Sequence, residues 1–396
     1  MSSSGSGAGR RAVVVGAGIG GLAAALGLHQ HGWDVQVLER APALTPVGAG
    51  IALAPNGLRA LDALGLGAVV RQRAAAQGAG GYRDPGGRWL LRQDLGAVTE
   101  ALGDSFVVLR RPDLVSFLVD ALPPGALRTG VEVRGVTVGD ATRPAQVATG
   151  DGDLEVDLVV AADGVHSRLR HALFPSHPGT RYAGYVAWRL LPRVSADVAR
   201  HGQFETWGRG RRFSALLMAD DEVYCWATVS KPAGRDVEDD RAELLARFGD
   251  WHQPVPALIE ATPPDRILRH DVVELARPLP ALHAGRVALV GDAGHALTPD
   301  LGQGGCLALE DAVELALLMG RQAPVPEALA QYTRLRLPRV SQIAARSRQL
   351  ARVGQASGPV VTGVRTAVLR AAAVLPAGVL ARGLGGVVDW RPQAGA

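Results

Sequence analysis

Val13-Val14-Val15 is an unbroken apolar run. It leads through Gly16-Ala17-Gly18-Ile19-Gly20-Gly21 into Leu22-Ala23-Ala24-Ala25-Leu26. A short run without alternation is the pattern of a strand buried on both faces, and the alanines are strong helix formers. The pattern therefore predicts a strand, a tight turn and a helix. A second run, Val35-Gln36-Val37-Leu38, ends at Glu39. The buried-strand pattern returns at 156–161, ahead of Asp163-Gly164, and at 287–290, ahead of Gly291-Asp292. Around these runs the sequence predicts a polar loop over 40–49 and a short extended piece at 51–53. A helix follows over 57–64, capped by Asn56 and stopped by Gly65. A strand is expected at 106–109, then a helix opened by Arg111-Pro112-Asp113, with Pro near its first position. Further helices are expected near 167–173, 306–319 and 326–351. The stretch 360–390 reads as helical, broken by Pro376 and glycines, and its apolar face suits core packing, a dimer contact or a membrane-surface contact, with core packing expected first.

Elsewhere the period changes to two. Tyr82-Arg83 and Trp89-Leu90-Leu91 flank Asp84-Pro85-Gly86-Gly87, a hairpin signal. Residues 131–134 and 146–149 alternate as an antiparallel excursion. From 180 to 271 four extended segments are expected, at 185–190, 203–207, 213–218 and 223–229, with a helix near 242–248. The last two segments are joined by Ala219-Asp220-Asp221-Glu222 as a hairpin. Most Trp and Tyr residues lie here and in the earlier hairpin, which suggests a second layer with an aromatic face.

Composition narrows the function classes. A chain of 396 residues, 47% hydrophobic and 20% charged, fits a globular enzyme. The net charge is only +4 and Lys231 is the sole lysine. No basic stripe with interleaved aromatics appears, so no nucleic-acid partner is expected. Cys225 and Cys306 form no C-x-x-C, which argues against a disulfide framework or a metal site. Residues 1–10 are Ser/Gly-rich and expected to be disordered. Arg10-Arg11 before an apolar run resembles an export signal, but that run is the glycine-turn unit itself, so a cytoplasmic protein is expected. No membrane span is expected.

The chemistry sits at strand ends. In G-x-G-x-x-G, Gly16 permits the sharp turn, Gly18 leaves room for a pyrophosphate and Gly21 allows close helix packing. Glu39, about 20 residues on, is placed to bind ribose hydroxyls. The following helix offers free N–H groups and its positive dipole end to phosphate. Gly291-Asp292 puts a carboxylate at a strand end, and the loop Pro299 to Gly305 leads into another helix N-terminus.

In these motifs the chain resembles the single-component, FAD-dependent aromatic hydroxylases of the p-hydroxybenzoate hydroxylase type. It is most similar to the salicylate, 3-hydroxybenzoate 6-hydroxylase and urate hydroxylase branch. The resemblance covers about residues 11–350. It rests on Gly16 to Gly21, on Asp163-Gly164-Val165-His166-Ser167-Arg168-Leu169-Arg170, and on Gly291 to His295 through Gln303-Gly304-Gly305 to Glu310-Asp311-Ala312. It implies an α/β fold, α+β overall: a Rossmann-like FAD-binding domain (11–72, 93–178, 272–350), an inserted antiparallel-sheet substrate domain (73–92, 179–271) and a C-terminal helical segment (351–396). The implied cofactor contacts are Gly16, Gly18, Ile19, Gly20, Gly21, Glu39, Arg40, Arg111, Asp163, Gly164, Asp292, Pro299, Gly302, Gly304 and Gly305, with Arg170 near a phosphate. The implied reaction takes NADH or NADPH and O2 and hydroxylates a phenol-like or polycyclic ring through a flavin C4a-hydroperoxide. Candidates for contact with that small aromatic substrate are Arg189, Tyr224 and Tyr82. His295 is expected to be structural or flavin-proximal before general base. Met218 and Gly305-Cys306-Leu307 depart from the family pattern near the substrate side. A flavin-dependent epoxidase or reductase of an isoprenoid, or a non-catalytic FAD- or NAD-binding protein, remain alternatives, and the protein is expected to be a monomer or homodimer.

Overall fold

The computed structural model describes residues 10–44, 49–94, 99–100, 103–193, 201–234, 237–375 and 377–393. The expected disordered tail lies outside the described residues up to residue 9. Its last member, Arg10, is held: it donates to the Met319 carbonyl (2.8 Å) and lies over the Trp33 ring at 4.4 Å.

The unalternating apolar runs form the centre of a six-stranded sheet. Its order is His283–Ala284, Val287–Leu289, Leu158–Ala161, Arg11–Val15, Asp34–Glu39, Leu127–Thr129. All neighbours are parallel except the first pair. Both sheet faces are covered, so Val14, Val37, Val160 and Leu289 are fully buried. Because the strands are parallel, the glycine turn, Asp163-Gly164 and Gly291-Asp292 all emerge at the sheet's carboxyl edge. That edge is where open α/β sheets bind ligands. The glycine turn feeds the helix Ile19–Gln30, which packs against the helix Gly304–Met319.

The period-two stretches form a seven-stranded sheet. It runs Ile267–Leu275, Thr180–Leu190, Val223–Ser230, Arg211–Leu217, Phe204–Trp207, Ala79–Arg83, Trp89–Asp94. All pairs are antiparallel except Phe204–Trp207 with Ala79–Arg83. The hairpin expected around Asp84-Pro85-Gly86-Gly87 therefore belongs to the same layer as the 180–275 strands, with arms Ala79–Arg83 and Trp89–Asp94. One face of this sheet packs Trp188, Phe213, Phe248 and Trp251 into a second core. Several of the aromatics are thus core rather than cavity wall.

Three readings change. Asn56 is no cap: the helix is Pro55–Ala63 with Ala54 at its N-cap, and Asn56 is buried beneath it. The strand expected at 131–134 starts later, at Val133–Thr137, where it pairs antiparallel with Ala145–Thr149 as expected, and the parallel edge strand Leu127–Thr129 before it was not expected. Finally, the C-terminal apolar face does not enter the core as expected. Val387 and Val388 do, but Val360, Val364 and Val368 stay open to solvent.

Candidate active site

A cavity of about 380 Å³ opens between the carboxyl edge of the parallel sheet and the inner face of the antiparallel sheet. Gly18 to Gly21, Gly164, Asp292, Pro299, Gly302, Gly304 and Gly305 line one side. Ala187, Arg189, Arg212, Leu216, Tyr224, Trp226 and Thr228 line the other, and Arg111 joins them.

The first wall fits a bound dinucleotide. A Cβ on Gly16 would sit 2.5 Å from the Ala162 carbonyl oxygen, and one on Gly21 would sit 2.0 Å from the Gly16 oxygen. Those two glycines serve the protein's own packing. Cβ atoms on Gly18, Gly164, Gly302 or Gly304 would meet no protein atom within 4 Å. They would project into open space along the cavity, a cradle kept clear of side chains. The helices Ile19–Gln30 and Gly304–Met319 both start here, without a side-chain cap or an acidic residue in the first turn. Their unpaired N–H groups and dipoles favour negative charge. Glu39 accepts from the backbone N–H of Ala17 and Ala41, each at 2.9 Å, which fixes its carboxylate beside the glycine turn.

Not every expected contact lies on this wall. Arg40 is exposed on the loop beyond Glu39. Asp163 accepts from the Ser167 hydroxyl (2.6 Å) and the Leu169 N–H (3.1 Å), so it organises the start of the helix Arg168–Leu173. Arg170, expected near a phosphate, is buried. It donates instead to the carbonyls of Val165 (2.7 Å), Ala293 (3.1 Å) and Asp292 (3.3 Å). It thereby ties the Asp163-Gly164 turn to the Gly291-Asp292 turn.

Buried charge holds the third motif. On the helix Gly304–Met319, Glu310 and Asp311 are fully buried. Arg336, from the long helix Val325–Gly354, donates to Glu310 and to Asp311, each at 2.7 Å, and Arg339 donates to Glu310 at 2.6 Å. Asp311 also accepts from the Gly291 N–H (2.9 Å) and pairs with His295 (2.5 Å). Asn56 bridges Glu310 (2.6 Å) and Gln303 (2.8 Å). Burial opposes charge on His295, but Asp311 outweighs it and raises the imidazole pKa. His295 is thus a positioning residue, behind the cavity and not in its wall.

The second wall follows strand parity. Alternate residues face opposite sides of a sheet. Arg212 and Leu216, Tyr224 with Trp226 and Thr228, and Ala187 with Arg189 face the cavity, while Phe213, Cys225, Ala227 and Trp188 face the second core. Burial, the larger influence, raises the Tyr224 pKa, and the neighbouring Arg189 guanidinium opposes it. Desolvation lowers the Arg111 pKa, and neighbouring Arg189 lowers it further, against Asp292. Neither arginine forms an ion pair among the described residues. Tyr82, the remaining substrate candidate, is not in the wall; its ring packs edge-on to Trp207 at 4.9 Å.

Arg212 and Asp300 were not expected. Arg212 is buried, pairs with Asp300 and with Glu205 (3.4 Å), and lies 5.1 Å from the Trp226 ring. Asp300 also accepts from the Tyr185 hydroxyl at 2.5 Å. Sequence parity within 211–217 carried the signal for Arg212, since it shares a face with Leu216. Among the described residues no cluster suits a metal ion, and no helix is long and apolar enough to cross a membrane.

The FAD binding domain family matches residues 10–347. Aurachin C monooxygenase/isomerase of Stigmatella aurantiaca is 35% identical over 359 residues, 90% of this chain and 93% of that protein. The FAD-dependent urate hydroxylase of Klebsiella pneumoniae is 36% identical over 346 residues, 86% of this chain and 89% of that one. The crystal structure of Klebsiella pneumoniae HpxO complexed with FAD and uric acid superposes with a TM-score of 0.89 at 31% identity, covering 96% of both chains. The expected FAD cofactor and monooxygenase class stand, and the chain belongs to the family of flavin-dependent aromatic hydroxylases.

Proposed function

We propose that this protein hydroxylates an acidic, electron-rich aromatic or heteroaromatic ring bound between Arg189, Tyr224 and Trp226. The observation that carries the reading is one cavity shared by a side-chain-free dinucleotide cradle and a wall of cationic and aromatic residues. Two neighbouring arginines without ion pairs suit an anionic ligand such as a phenolate or a urate-like heterocycle. A urate hydroxylase among the relatives, and uric acid in the similar crystal structure, support that substrate class. FAD, when bound, supplies hydride acceptance from NADH or NADPH and activation of O2.

The chain's own residues do the rest. Gly18, Gly164, Gly302 and Gly304 leave the cradle open to the cofactor, and Glu39 stands by for the ribose. The uncapped helix start at Gly304 would favour negative charge on a cofactor held in the cradle. Trp226, Leu216 and Ala187 exclude water from the cavity. Arg189 orients the substrate anion, and the neutral Tyr224 hydroxyl holds a proton within reach of it. In this reading 73–92 and 179–271 form the substrate layer and 11–72, 93–178 and 272–350 the FAD layer. Two buried, unpaired cysteines suit a reducing cytoplasm. A monomer or homodimer would serve equally.

The test is a panel of phenols and acidic N-heterocycles, scored by stimulated NAD(P)H oxidation and by label from ¹⁸O₂ in the product. A hit that gains one labelled oxygen supports the reading. Oxidation without labelled product across the panel would defeat it. Arg189→Gln is expected to raise KM for the hit about 10- to 100-fold, the loss of one charge-assisted hydrogen bond, while bound FAD stays unchanged.

A further inference from the structure

The helix Pro359–Ala372 has its polarity reversed. Its buried side chains are the polar ones: Thr362 is 7% exposed and Arg365 6%. Arg365 donates to the carbonyls of Gly208 (2.8 Å), Gly354 (3.0 Å) and Val353 (3.2 Å), and its guanidinium lies 5.1 Å from the Trp207 ring. The opposite face carries Val360, Val364 and Val368, exposed at 76, 60 and 61%. These positions recur every four residues and form one stripe. Eight of the nine exposed large hydrophobic side chains among the described residues lie between Val353 and Val379. A contiguous apolar patch on that scale marks an interaction surface.

Charge identifies the partner. From residue 328 to 388 the sequence holds nine arginines and no Asp, Glu or Lys. Arg346, Arg352 and Arg370 are exposed and have no ion-pair partner among the described residues. Arg370 lies on the same helix, one turn before Val374. At the helix foot, the Gly210 N–H bonds the Ala356 carbonyl (2.9 Å), which places exposed Arg209 beside it. An apolar stripe on a segment whose only charged side chains are arginines is the pattern of a helix lying in an anionic bilayer interface. A two-fold dimer through the same face would set these arginines against their own copies, a like-charge contact that disfavours it. Fourteen residues span roughly 21 Å at about 1.5 Å each, too short to cross a bilayer core of about 30 Å, so the helix lies on the surface.

We propose that the valine face of this helix, continued by Val374, Leu375 and Val379, docks the protein on an anionic lipid surface. The foot of the helix abuts the cavity wall. Gln355 donates to the Thr228 hydroxyl at 2.6 Å, and a Cβ on Gly354 would approach the Arg212 guanidinium to 2.8 Å. A docked bilayer is therefore close to the substrate side, whatever ring the cavity takes.

The test is flotation of the FAD-loaded full chain with phosphatidylcholine vesicles, with and without phosphatidylglycerol. Binding is expected only with phosphatidylglycerol, and it should weaken at high salt. V364E/V368E should lose more than tenfold of that partition, because two exposed valines that would enter the lipid are replaced by anions. R370Q should lose about fivefold, the equivalent of ~1 kcal/mol per basic residue near an anionic surface. Unchanged FAD content and melting in both variants separate lost docking from lost folding. If V364E/V368E does not fold, R370Q and the salt series decide. Absence of binding to phosphatidylglycerol vesicles would overturn the proposal. So would a dimer that V364E/V368E splits while vesicle binding is absent, since the face would then belong to a second copy.

Discussion

Three glycines of one turn respond differently to a side chain. At Gly16 and Gly21 the obstacle is backbone, at 2.5 and 2.0 Å, and Gly16 also sits at φ +105°. At Gly18 there is no protein obstacle within 4 Å. Gly18→Val is therefore expected to fold and melt like the flavin-stripped parent but to purify without flavin, read as flavin absorbance per protein. Gly21→Val is expected to fail in folding itself. The spacing of these glycines was legible because each has a local, geometric reason. Arg212 was not, because Arg209-Gly210-Arg211-Arg212 offers three arginines and only strand parity separates them. Its partner Asp300 lies 88 residues away, and such a pairing leaves no local trace. Arg212→Gln leaves the buried Asp300 carboxylate, and Glu205 beside it, without their cation and is expected to cost about 3–5 kcal/mol in chemical denaturation. Adding Asp300→Asn should recover part of that loss. Tyr82 shows the converse: an aromatic hairpin suggested a substrate contact, and its ring packs edge-on to Trp207 outside the cavity wall.

At the scale of elements, the helix Gly304–Met319 decides how the site is held. Its apolar pattern was readable to within two residues of its start. The burial of Glu310 and Asp311 within it was not, because it depends on Arg336 and Arg339 from another helix. Their network joins the Gly291 turn, His295, Gln303 and Asn56, so one buried cluster sets both loops of the third motif. The coupling of His295 to Asp311 has a pH signature. Its folded pKa is raised above the unfolded value of about 6.5, because Asp311 overcomes desolvation. A raised pKa contributes stability that is complete below about pH 6.5 and is lost as pH climbs through the folded value. Asp311 is shifted the other way: burial opposes its charge, yet His295 and Arg336 prevail and lower its pKa. Its contribution is present above the unfolded value near 3.9 and is lost only in stronger acid. The melting temperature should therefore fall as pH rises above about 6.5. His295→Gln should be less stable at pH 6 than the parent and should lack that slope. A parallel slope in the variant would remove His295 as its source.

At the scale of the whole molecule, two cores meet across one cavity. The change of period, from unbroken apolar runs to alternation, distinguished a parallel from an antiparallel layer in the sequence. The strand order did not follow, because 283, 287, 158, 11, 34 and 127 become neighbours through crossovers that local pattern does not encode. The layers are tied across the cavity by polar contacts such as Asp300 with Tyr185 and Arg212, Glu222 with Arg110, and Glu274 with Arg348. A ligand that fills the space between Gly18 to Gly21 and Arg189 with Tyr224 therefore binds both layers only when both are folded and docked. Such binding stabilises the folded state by mass action, by about 2.7 kcal/mol at a free ligand level 100 times Kd. FAD added to stripped protein should raise the unfolding midpoint in proportion to the logarithm of its concentration. Near-UV signals from Trp188 and Trp251 in the antiparallel core should then melt together with the parallel layer, followed by far-UV helix signal. Gly18→Val should show neither the rise nor the tightened coincidence. A midpoint indifferent to FAD in the parent chain would mean that the cavity does not couple the layers.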